Sequence, residues 1–383
     1  MSVDALRAEL ARLNELAPSK RMTLTPDFYT SPEWATLERQ QIFRKEWICV
    51  GRVSEFKEVG EYRTFEIDAA PFIVVRRRNG QLAAMSAVCL HRMALIAQGA
   101  GCVKGFTCPY HGWTYDLEGR LISAPGMPAD FKRSDQVLPK LVLEEWNGFV
   151  YVNLNPSASS LNERLAPLTQ LLAPYHMERM QVLTRQRHTW RTNWKILVEN
   201  FLEAYHVNVT HPTSLAPFAR PEGVGMLPGA PAFQFYQHRM ADSFKPVPLD
   251  PRIGIPNADM DEEAKRMAYV GCVFPTHLFS VTWDAIFWLS LQPRGLDEVD
   301  IDVGLSGPFD LPTGEVPDPE HPNLYYLRLI DAVNAEDRSR VESIQRGARS
   351  GFGRQSVLHR HEATISGFIS YLFTMLDGLN QRL

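Results

Sequence analysis

The stretch CLHRMALIAQGAGCVKGFTCPYHGW, residues 89–113, contains three of the five cysteines and two of the eleven histidines of this 383-residue chain. It places Cys89-x-His91 and Cys108-x-x-His111 sixteen residues apart. A thiolate and an imidazole almost adjacent in sequence, present twice, can form two loop tips that close on a single metal centre. The stretch therefore predicts a metal site built from two β-hairpin tips.

Two kinds of metal centre could use this ligand set. Zinc accepts two Cys and two His, but zinc sites usually group Cys with Cys and His with His. Each tip here mixes the two, which favours the Rieske [2Fe–2S] arrangement, in which one iron takes both thiolates and the other takes both imidazoles. A zinc site and a purely structural role are the alternatives. The other three cysteines, Cys49, Cys102 and Cys272, are predicted to be buried thiols.

The composition is that of an ordinary globular protein, with 45% hydrophobic and 22% charged residues. A net charge of −4 gives no reason to expect nucleic acid as a partner, and no apolar run is long enough to span a membrane. The cysteines are few and odd in number, which argues against a disulfide framework. The N-terminal segment lacks the apolar core of a signal peptide, so we expect a cytoplasmic protein.

A second stretch, NWKILVENFLEAYHVNVTHP (residues 193–212), carries acids and histidines within an apolar helical pattern. Glu199, Glu203 and His206 would share one helical face, and an acid buried there needs a charge partner. His206 and His211 are five residues apart, so both reach one metal only if the helix ends or bulges between them. Two His and one carboxylate form the ligand set of non-heme Fe(II) oxygenases. Local bonding of two histidines at a helix end is the alternative.

Together the two stretches resemble the large (alpha) terminal oxygenase subunits of the ring-hydroxylating, or Rieske non-heme iron, oxygenases. The resemblance rests on Cys89-x-His91, Cys108-x-x-His111-Gly112-Trp113, Asn193-Trp194-Lys195, Glu199-Asn200 and Glu203-x-x-His206-x-x-x-x-His211. It implies an α+β fold, with an all-β Rieske [2Fe–2S] domain inserted into a helix-grip catalytic domain of antiparallel sheet plus helices. The expected parts are N-terminal helices at 1–45, the Rieske domain at 46–155 and the mononuclear iron domain at 156–383.

The resemblance also implies the site residues. Cys89, His91, Cys108 and His111 would hold one [2Fe–2S] cluster, and His206 and His211 would hold one Fe(II) with a distant acid. In NAEDRSRVESIQRG, residues 334–347, that acid is expected to be Asp337, which lies four residues before Val341, with Glu336 as the rival. Only one of the two can serve, because neighbouring side chains on a helix point about 100° apart.

Two further residues would act in catalysis, Asn200 and Glu203. In the family, the acid at the position of Glu203 joins a Rieske histidine of one subunit to an iron-binding histidine of the next. Many aromatic dioxygenases have Asp there. A Glu within Glu203-Ala-Tyr-His resembles homotrimeric members, including those acting on quaternary ammonium compounds.

The implied function is the terminal component of a multicomponent oxygenase that uses O₂ to mono- or dioxygenate a small organic substrate. An aromatic substrate is the first expectation, and a quaternary ammonium compound such as a betaine or carnitine is the alternative. A Rieske electron-transfer protein is the competing class. No Gly-x-Gly-x-x-Gly pattern follows a strand, so electrons should come from a separate NAD(P)H-dependent reductase, possibly through a ferredoxin. A homotrimer, or a trimer with a small beta subunit, is expected.

The remaining pattern predicts local structure. Asn79-Gly80 and Glu118-Gly119 predict hairpin turns, 277–293 and 299–307 predict strands, and Ser31-Pro32 predicts the start of a helix over 31–47. Residues 213–235 predict a long irregular loop. Arg220 in that loop could meet a substrate carboxylate. The aromatic residues that could line a pocket are Phe201, Tyr205, Phe218, Phe233, Phe235, Tyr236, Phe279, Trp283, Phe287 and Trp288.

Overall fold

A computed structural model of the chain describes residues 1–219, 221–241, 260–307 and 322–376, with only the backbone described at 221 and 322–328. Arg220, for which the sequence predicts a substrate contact, lies outside these ranges. The chain forms two compact units, one of residues 43–162 and one that combines 1–42 with 163–383. The smaller unit is thus inserted into the larger one along the chain.

The inserted unit is all-β and antiparallel. A seven-stranded sheet has the order β1-β10-β9-β4-β3-β2-β5, and a three-stranded sheet has the order β6-β7-β8. The strands are β1 Ile48–Arg52, β2 Glu61–Ile67, β3 Ala70–Arg76, β4 Leu82–Ser86, β5 Ala100–Cys102, β6 Phe106–Thr107, β7 Thr114–Tyr115, β8 Leu121–Ser123, β9 Lys140–Trp146 and β10 Phe149–Asn153.

Both predicted hairpin turns of this unit are present. Gly80, between β3 and β4, has φ +81°, and its neighbour Asn79 accepts a hydrogen bond from the Gln81 amide at 3.1 Å. Gly119, between β7 and β8, also has φ +81°. This left-handed backbone costs glycine nothing, whereas a side chain would strain it. The sequence therefore identified both turns through their chemistry.

The larger unit contains one seven-stranded antiparallel sheet of order β11-β17-β16-β15-β14-β13-β12. Its strands are β11 Gln181–Trp190, β12 Val224–Met226, β13 Phe233–Arg239, β14 Met267–Val273, β15 His277–Val281, β16 Ile286–Pro293 and β17 Val299–Gly307. Trp288 lies directly across from Gly304, and a Cβ there would be 2.1 Å from the indole. A glycine in β17 thus makes room for the largest side chain of β16.

Helices accompany this sheet. They are α1 Val3–Asn14, α2 Asp27–Thr30, α3 Pro32–Glu38, α4 Leu161–Arg164, α5 Ala166–Leu172, α6 Trp194–Phe201, α7 Val207–Thr210, α8 Pro322–Arg349 and α9 Ile365–Leu376. In the part of the chain that the structure describes, no helix combines the length and apolarity needed to cross a membrane.

Two sequence predictions of local structure were wrong in extent. Helix α3 starts as predicted, with Ser31 accepting from the Trp34 amide at 3.1 Å, but it ends at Glu38 and a π turn follows. The Lys45 carbonyl instead accepts from the side chain of Asn153 at 3.0 Å, so tertiary bonding replaces the helix. The predicted loop 213–235 contains β12, an edge strand that pairs with β13.

A further wrong prediction concerns a cysteine. Cys49 and Cys272 are buried as expected, but Cys102 is exposed. It lies on β5, the last strand of its sheet, where one strand edge is not covered by a neighbour.

Candidate active site

The chain turns sharply between the helix α6 and the single turn α7. Helix α6 begins at its cap Asn193 and ends at Phe201, and Glu203 then accepts hydrogen bonds from the backbone amides of Tyr205 and His206. These bonds shape the segment before α7, and His206 and His211 flank that turn. The helical turn ends at Thr210, between the two histidines as predicted, and a second break at 202–206, which the sequence did not indicate, separates it from α6.

Three side chains converge after this turn. His206 Nε2 and His211 Nε2 are 3.2 Å apart, and Asp337 Oδ1 of α8 lies 3.6 Å from the first and 3.0 Å from the second. These three residues form a group that could hold a metal ion. His211 is fully buried, while His206 and Asp337 are partly exposed. The distant acid predicted from sequence is thus brought beside the two histidines.

The spacing of the three atoms fits a mononuclear metal. Two ligands at about 2.1 Å from one ion and at right angles to each other are about 3 Å apart. Such a site uses the outer nitrogen of each imidazole and leaves the opposite side of the ion open. The donor set of two imidazoles and one carboxylate is the one that suits non-heme Fe(II).

The inner nitrogens of both imidazoles are held by other carboxylates. His206 Nδ1 is 2.5 Å from Glu203 Oε1, and His211 Nδ1 is 2.7 Å from Glu336 Oε2, which also accepts from the Ser214 hydroxyl at 2.6 Å. Carboxylates in this position keep the proton on Nδ1 and leave Nε2 free to bind a metal. Glu336, the rival of Asp337 in the sequence, is therefore a support of His211.

The electrostatics of this group favour a cation. Burial by itself lowers the pKa of His211, but the adjacent Asp337 and Glu336 outweigh it, so the pKa of the imidazole is raised. Asn200 also donates to Asp337 Oδ1 at 3.1 Å. Asn200 was predicted to act in catalysis, and the structure places it where it orients this carboxylate.

Helix α6 is held in place by buried polar contacts. The Lys195 ammonium lies 2.6 Å from Glu38, and Tyr29 donates to Glu199 at 2.7 Å. Burial raises the pKa of Glu199 to about 7, and the Tyr29 hydroxyl and Lys195 offset part of that rise. The acid that the sequence placed in an apolar segment thus has one hydrogen-bond donor from α2 and one nearby positive charge from α6, while its Oε1 is buried without a hydrogen-bond partner among the described residues.

A cavity of about 260 Å³ opens beside the three convergent residues. Its lining is mainly apolar and includes Trp190, Phe201, Phe218, Tyr236, Phe287, Leu289, Ile330 and Val333. Its polar members include Asn200, Glu203, His238, Ser280, Thr282, Asp284 and Asn334. Of the described lining residues, none is a lysine or an arginine. An apolar chamber with a few polar groups next to a metal site is the usual form of a small-molecule site.

Four of the ten aromatic residues predicted for a pocket line this cavity, namely Phe201, Phe218, Tyr236 and Phe287. Five others are buried away from it, and Tyr205 is 55% exposed. Sequence reasoning missed Trp190, which is on β11, and Asn334 of α8. Asn334 is three residues before Asp337, so its position one helical turn from the acid was the available signal.

A second cavity, of about 410 Å³, lies against the same segment. It is lined by Tyr29, Glu199, Glu362 and Ile344 among others, and Asn200 and Glu203 line both cavities. These two side chains therefore separate the chambers.

In the inserted unit, the four predicted cluster residues are at two neighbouring loops. Cys89 and Cys108 are buried, whereas His91 and His111 are exposed, with ring centroids 4.6 Å apart. Burial by itself raises the pKa of Cys89, but the Tyr115 hydroxyl, the amides of His91 and Arg92 and the Cys108 side chain lower it overall. Hydrogen-bond donors around a sulfur stabilise thiolate charge, as an iron–sulfur cluster requires.

The two loops share one hydrogen-bonding scheme. The carbonyl of Cys89 accepts from the Met93 amide at 3.0 Å, and that of Cys108 accepts from the Gly112 amide at 3.1 Å. Met93 has φ +60° and Gly112 has φ +72°. Tyr115 supports the first loop, since its hydroxyl accepts from the Leu90 amide at 3.0 Å and lies 3.5 Å from Cys89 Sγ. Both loops thus present one buried sulfur and one exposed imidazole.

Comparison with protein families agrees with these two sites. Residues 177–378 match the ring hydroxylating alpha subunit (catalytic domain), and residues 46–143 match the Rieske [2Fe-2S] domain. The chain belongs to the ring-hydroxylating alpha subunit family. The predicted family, the α+β fold class and the pair of cofactors, a Rieske cluster and a mononuclear iron, are confirmed.

Members of the family with different substrates are similar to this alpha subunit. It is 37% identical over 195 residues to the glycine betaine monooxygenase oxygenase subunit of Chromohalobacter salexigens, which covers 50% of this chain and 44% of that protein. It is 35% identical over 195 residues to the anthranilate 1,2-dioxygenase large subunit of Acinetobacter baylyi, covering 48% and 41%. The chain therefore spans about half the length of the curated relatives it matches.

A solved structure shows the same fold over nearly the whole chain. A quaternary ammonium Rieske monooxygenase, described for carnitine oxidation by gut microbiota, matches with a TM-score of 0.79 and 22% identity. The match covers 94% of this chain and 96% of the other. At this identity the likeness establishes the fold of the alpha subunit.

Proposed function

We propose that this protein is the terminal oxygenase of a multicomponent Rieske system and hydroxylates a small organic substrate with O₂. The observation that carries the proposal is the convergence of His206, His211 and Asp337 at the wall of an apolar cavity. When bound, the iron would activate O₂ beside the substrate with electrons supplied through the Rieske cluster. A pure electron carrier would have no use for this second site.

The roles of the chain's residues follow from their contacts. Cys89, His91, Cys108 and His111 hold the cluster, and His206, His211 and Asp337 hold the iron. Asn200 orients Asp337, while Glu203 and Glu336 keep the Nδ1 proton of the two imidazoles and point Nε2 at the metal. The apolar walls exclude water around the substrate. The parts of the chain correspond to helices at 1–45, a Rieske domain at 46–155 and an iron domain at 156–383.

Glu203 is the proposed route of the electron into the iron site. Its Oε1 bonds His206, and its side chain also lines the second cavity, on the far side from the substrate. A Rieske tip of a neighbouring subunit, seated there, would connect with His206 through this one carboxylate. The proposal therefore includes a homotrimer, alone or with a small beta subunit, and a separate NAD(P)H-dependent reductase or ferredoxin in the cytoplasm.

A quaternary ammonium compound is the substrate class that we favour. Aromatic side chains line the cavity, and rings of this kind attract a trimethylammonium group through their faces. The described lining has acids but no lysine or arginine, a charge balance that favours a cation over an anion. The glycine betaine monooxygenase relative agrees with this choice, which replaces the aromatic compound first expected from the sequence.

An aromatic substrate is the second candidate. The cavity is mostly apolar, so an aromatic ring could also fill it. The anthranilate dioxygenase relative acts on such a compound by its name.

The test is a substrate screen with a surrogate reductase that supplies electrons from NADH. Oxygen uptake coupled to product is expected with glycine betaine or carnitine, whereas benzoate and anthranilate should leave uptake at its background rate. Coupled uptake with the aromatic acids alone would reverse the choice of substrate. An iron content of about two per chain, with no oxygen uptake for any compound, would favour the electron carrier.

A further inference from the structure

The side-chain nitrogen of Asn334, a buried residue in the wall of the substrate cavity, has no acceptor within the part of the protein that the structure describes. The residue is 8% exposed and lines the cavity. Its Nδ2 is shielded from water and has no hydrogen-bond acceptor. Among the described residues of that lining, only Asn334 has a side-chain nitrogen or oxygen that is both shielded from water and without a hydrogen-bond partner. Such a group is costly, because folding strips it of water without replacing the lost hydrogen bonds.

The position of Asn334 relates it to the iron site. It precedes Asp337 by three residues on α8, and side chains with this spacing lie one above the other, with Cβ atoms about 5–6 Å apart. Its neighbours Ile330 and Val333 on the same wall are apolar. A substrate group bonded to Asn334 would therefore be held next to the carbon that is oxidised.

The chemistry of the cavity indicates which group that is. Acceptors are already abundant there, because Glu203, Asp284 and Asp337 all line it. The described lining offers no ammonium or guanidinium, so a substrate oxygen would have to bind neutral N–H or O–H groups there. An amide N–H left without an acceptor is matched by an oxygen of the substrate. Nδ2 has almost no accessible surface in the empty cavity, so a change of the Asn334 rotamer has to bring the N–H to the cavity when that oxygen arrives.

We propose that Asn334 is a specificity-determining residue that donates a hydrogen bond to an oxygen acceptor of the substrate close to the site of oxidation. This inference rests on the proposed function for the existence of a substrate, but not on the choice between an ammonium and an aromatic compound. For a betaine the acceptor is a carboxylate oxygen. For a plain tetraalkylammonium ion no acceptor exists, and Asn334 has nothing to bind.

The first arm of the test needs no turnover. Asn334→Leu replaces the amide by an apolar group of similar shape, so the melting temperature of the iron-loaded protein should stay unchanged or rise. The matched control is Asn193→Leu, because the Asn193 side-chain nitrogen donates to the Leu296 carbonyl at 2.7 Å and its side-chain oxygen accepts from the Lys195 backbone amide at the start of α6. That variant should melt at least about 2 °C lower. An equal loss in Asn334→Leu would show a structural amide and overturn the proposal.

The second arm compares substrates that differ in the acceptor. For Asn334→Leu, KM for glycine betaine should rise at least about tenfold, whereas KM for tetramethylammonium should stay within about twofold of that of the unchanged protein. A rise of the same size for both compounds, or for neither, overturns the proposal. If the unchanged protein oxidises neither compound, the proposed substrate class fails. The change in KM caused by Asn334→Leu is then compared between anthranilate, which has a carboxylate, and aniline, which has none. If no compound is oxidised, the proposed function fails, and this inference fails with it.

Discussion

Glu336 and Asp337 are neighbours in the chain and contact opposite nitrogens of the same imidazole. Glu336 Oε2 lies 2.7 Å from His211 Nδ1, and Asp337 Oδ1 lies 3.0 Å from His211 Nε2. The ring of His211 thus lies between the carboxylates of two consecutive residues of α8. Only the Asp337 side of the ring faces His206, so the two acids have different tasks despite their adjacency.

Exchange of either acid should separate these tasks. Asp337→Ala removes one of three metal-binding atoms, so iron should fall from about three to about two per chain while the cluster spectrum is unchanged. Glu336→Gln keeps the three atoms, and iron should stay bound with affinity weaker by about 10–100-fold. Metal analysis after dialysis against a chelator measures both. Full retention of iron in Asp337→Ala, with loss in Glu336→Gln, would exchange the two assignments.

Glu203→Gln should interrupt electron delivery and leave the metals in place. The amide keeps the shape of the side chain but loses the negative charge that strengthens its bond to His206. We expect turnover to fall by about 100-fold, at the upper end for a residue that supports a metal ligand. In a single turnover, the reduced cluster should fail to reoxidise when substrate and O₂ are added. Glu362→Gln is the control, because Glu362 lines the same second cavity; normal reoxidation in Glu203→Gln would place the route elsewhere.

Tyr115→Phe should lower the reduction potential of the cluster. The hydroxyl lies 3.5 Å from Cys89 Sγ, and hydrogen bonds to sulfur stabilise the reduced, more negative state. Loss of about 1 kcal/mol corresponds to about 40 mV for one electron. A spectroscopic redox titration measures the shift. Tyr110→Phe is the control, since the Tyr110 hydroxyl contacts Arg92 rather than a sulfur; equal shifts in both variants would refute a specific role of Tyr115.

Glu199 should make stability depend on pH. Its pKa is raised by burial to about 7 in the folded protein, from 4.5 unfolded, so the folded state binds the extra proton between these values. The stabilisation is complete below pH 4.5 and is lost as pH rises to 7. As the pH rises from 5 to 8, the unfolding free energy of the unchanged protein should fall by about 1–3 kcal/mol more than that of Glu199→Gln. Urea titrations at both pH values measure it, and parallel pH profiles would show that Glu199 is ionised throughout.

Sequence and structure agree where a few residues decide the geometry by themselves. Asn79-Gly80 and Glu118-Gly119 form the turns that their backbone preferences dictate, and the Cys and His spacing predicted the two loops of the inserted unit. The strands over 277–293 and 299–307 follow from their apolar residues.

Agreement is weaker where tertiary contacts decide. The spacing of His206 and His211 predicted the end of the helix between them, but the earlier break before His206 depends on Glu203 accepting from the amides of Tyr205 and His206, which a periodic pattern does not reveal. The sequence also treated Glu336 and Asp337 as rivals, because it could not show that the two nitrogens of one ring give each acid a partner. Asn334 was missed because an unbonded amide is visible only once its surroundings are known.

Asn200 and Glu203 line both cavities. The same two residues grip Asp337 and His206. Shortening either one would therefore do two things at once, loosening the metal-binding set and opening a leak of water into the chamber where oxidation takes place. The geometry of the metal-binding group and the exclusion of water from the cavity therefore depend on the same two side chains.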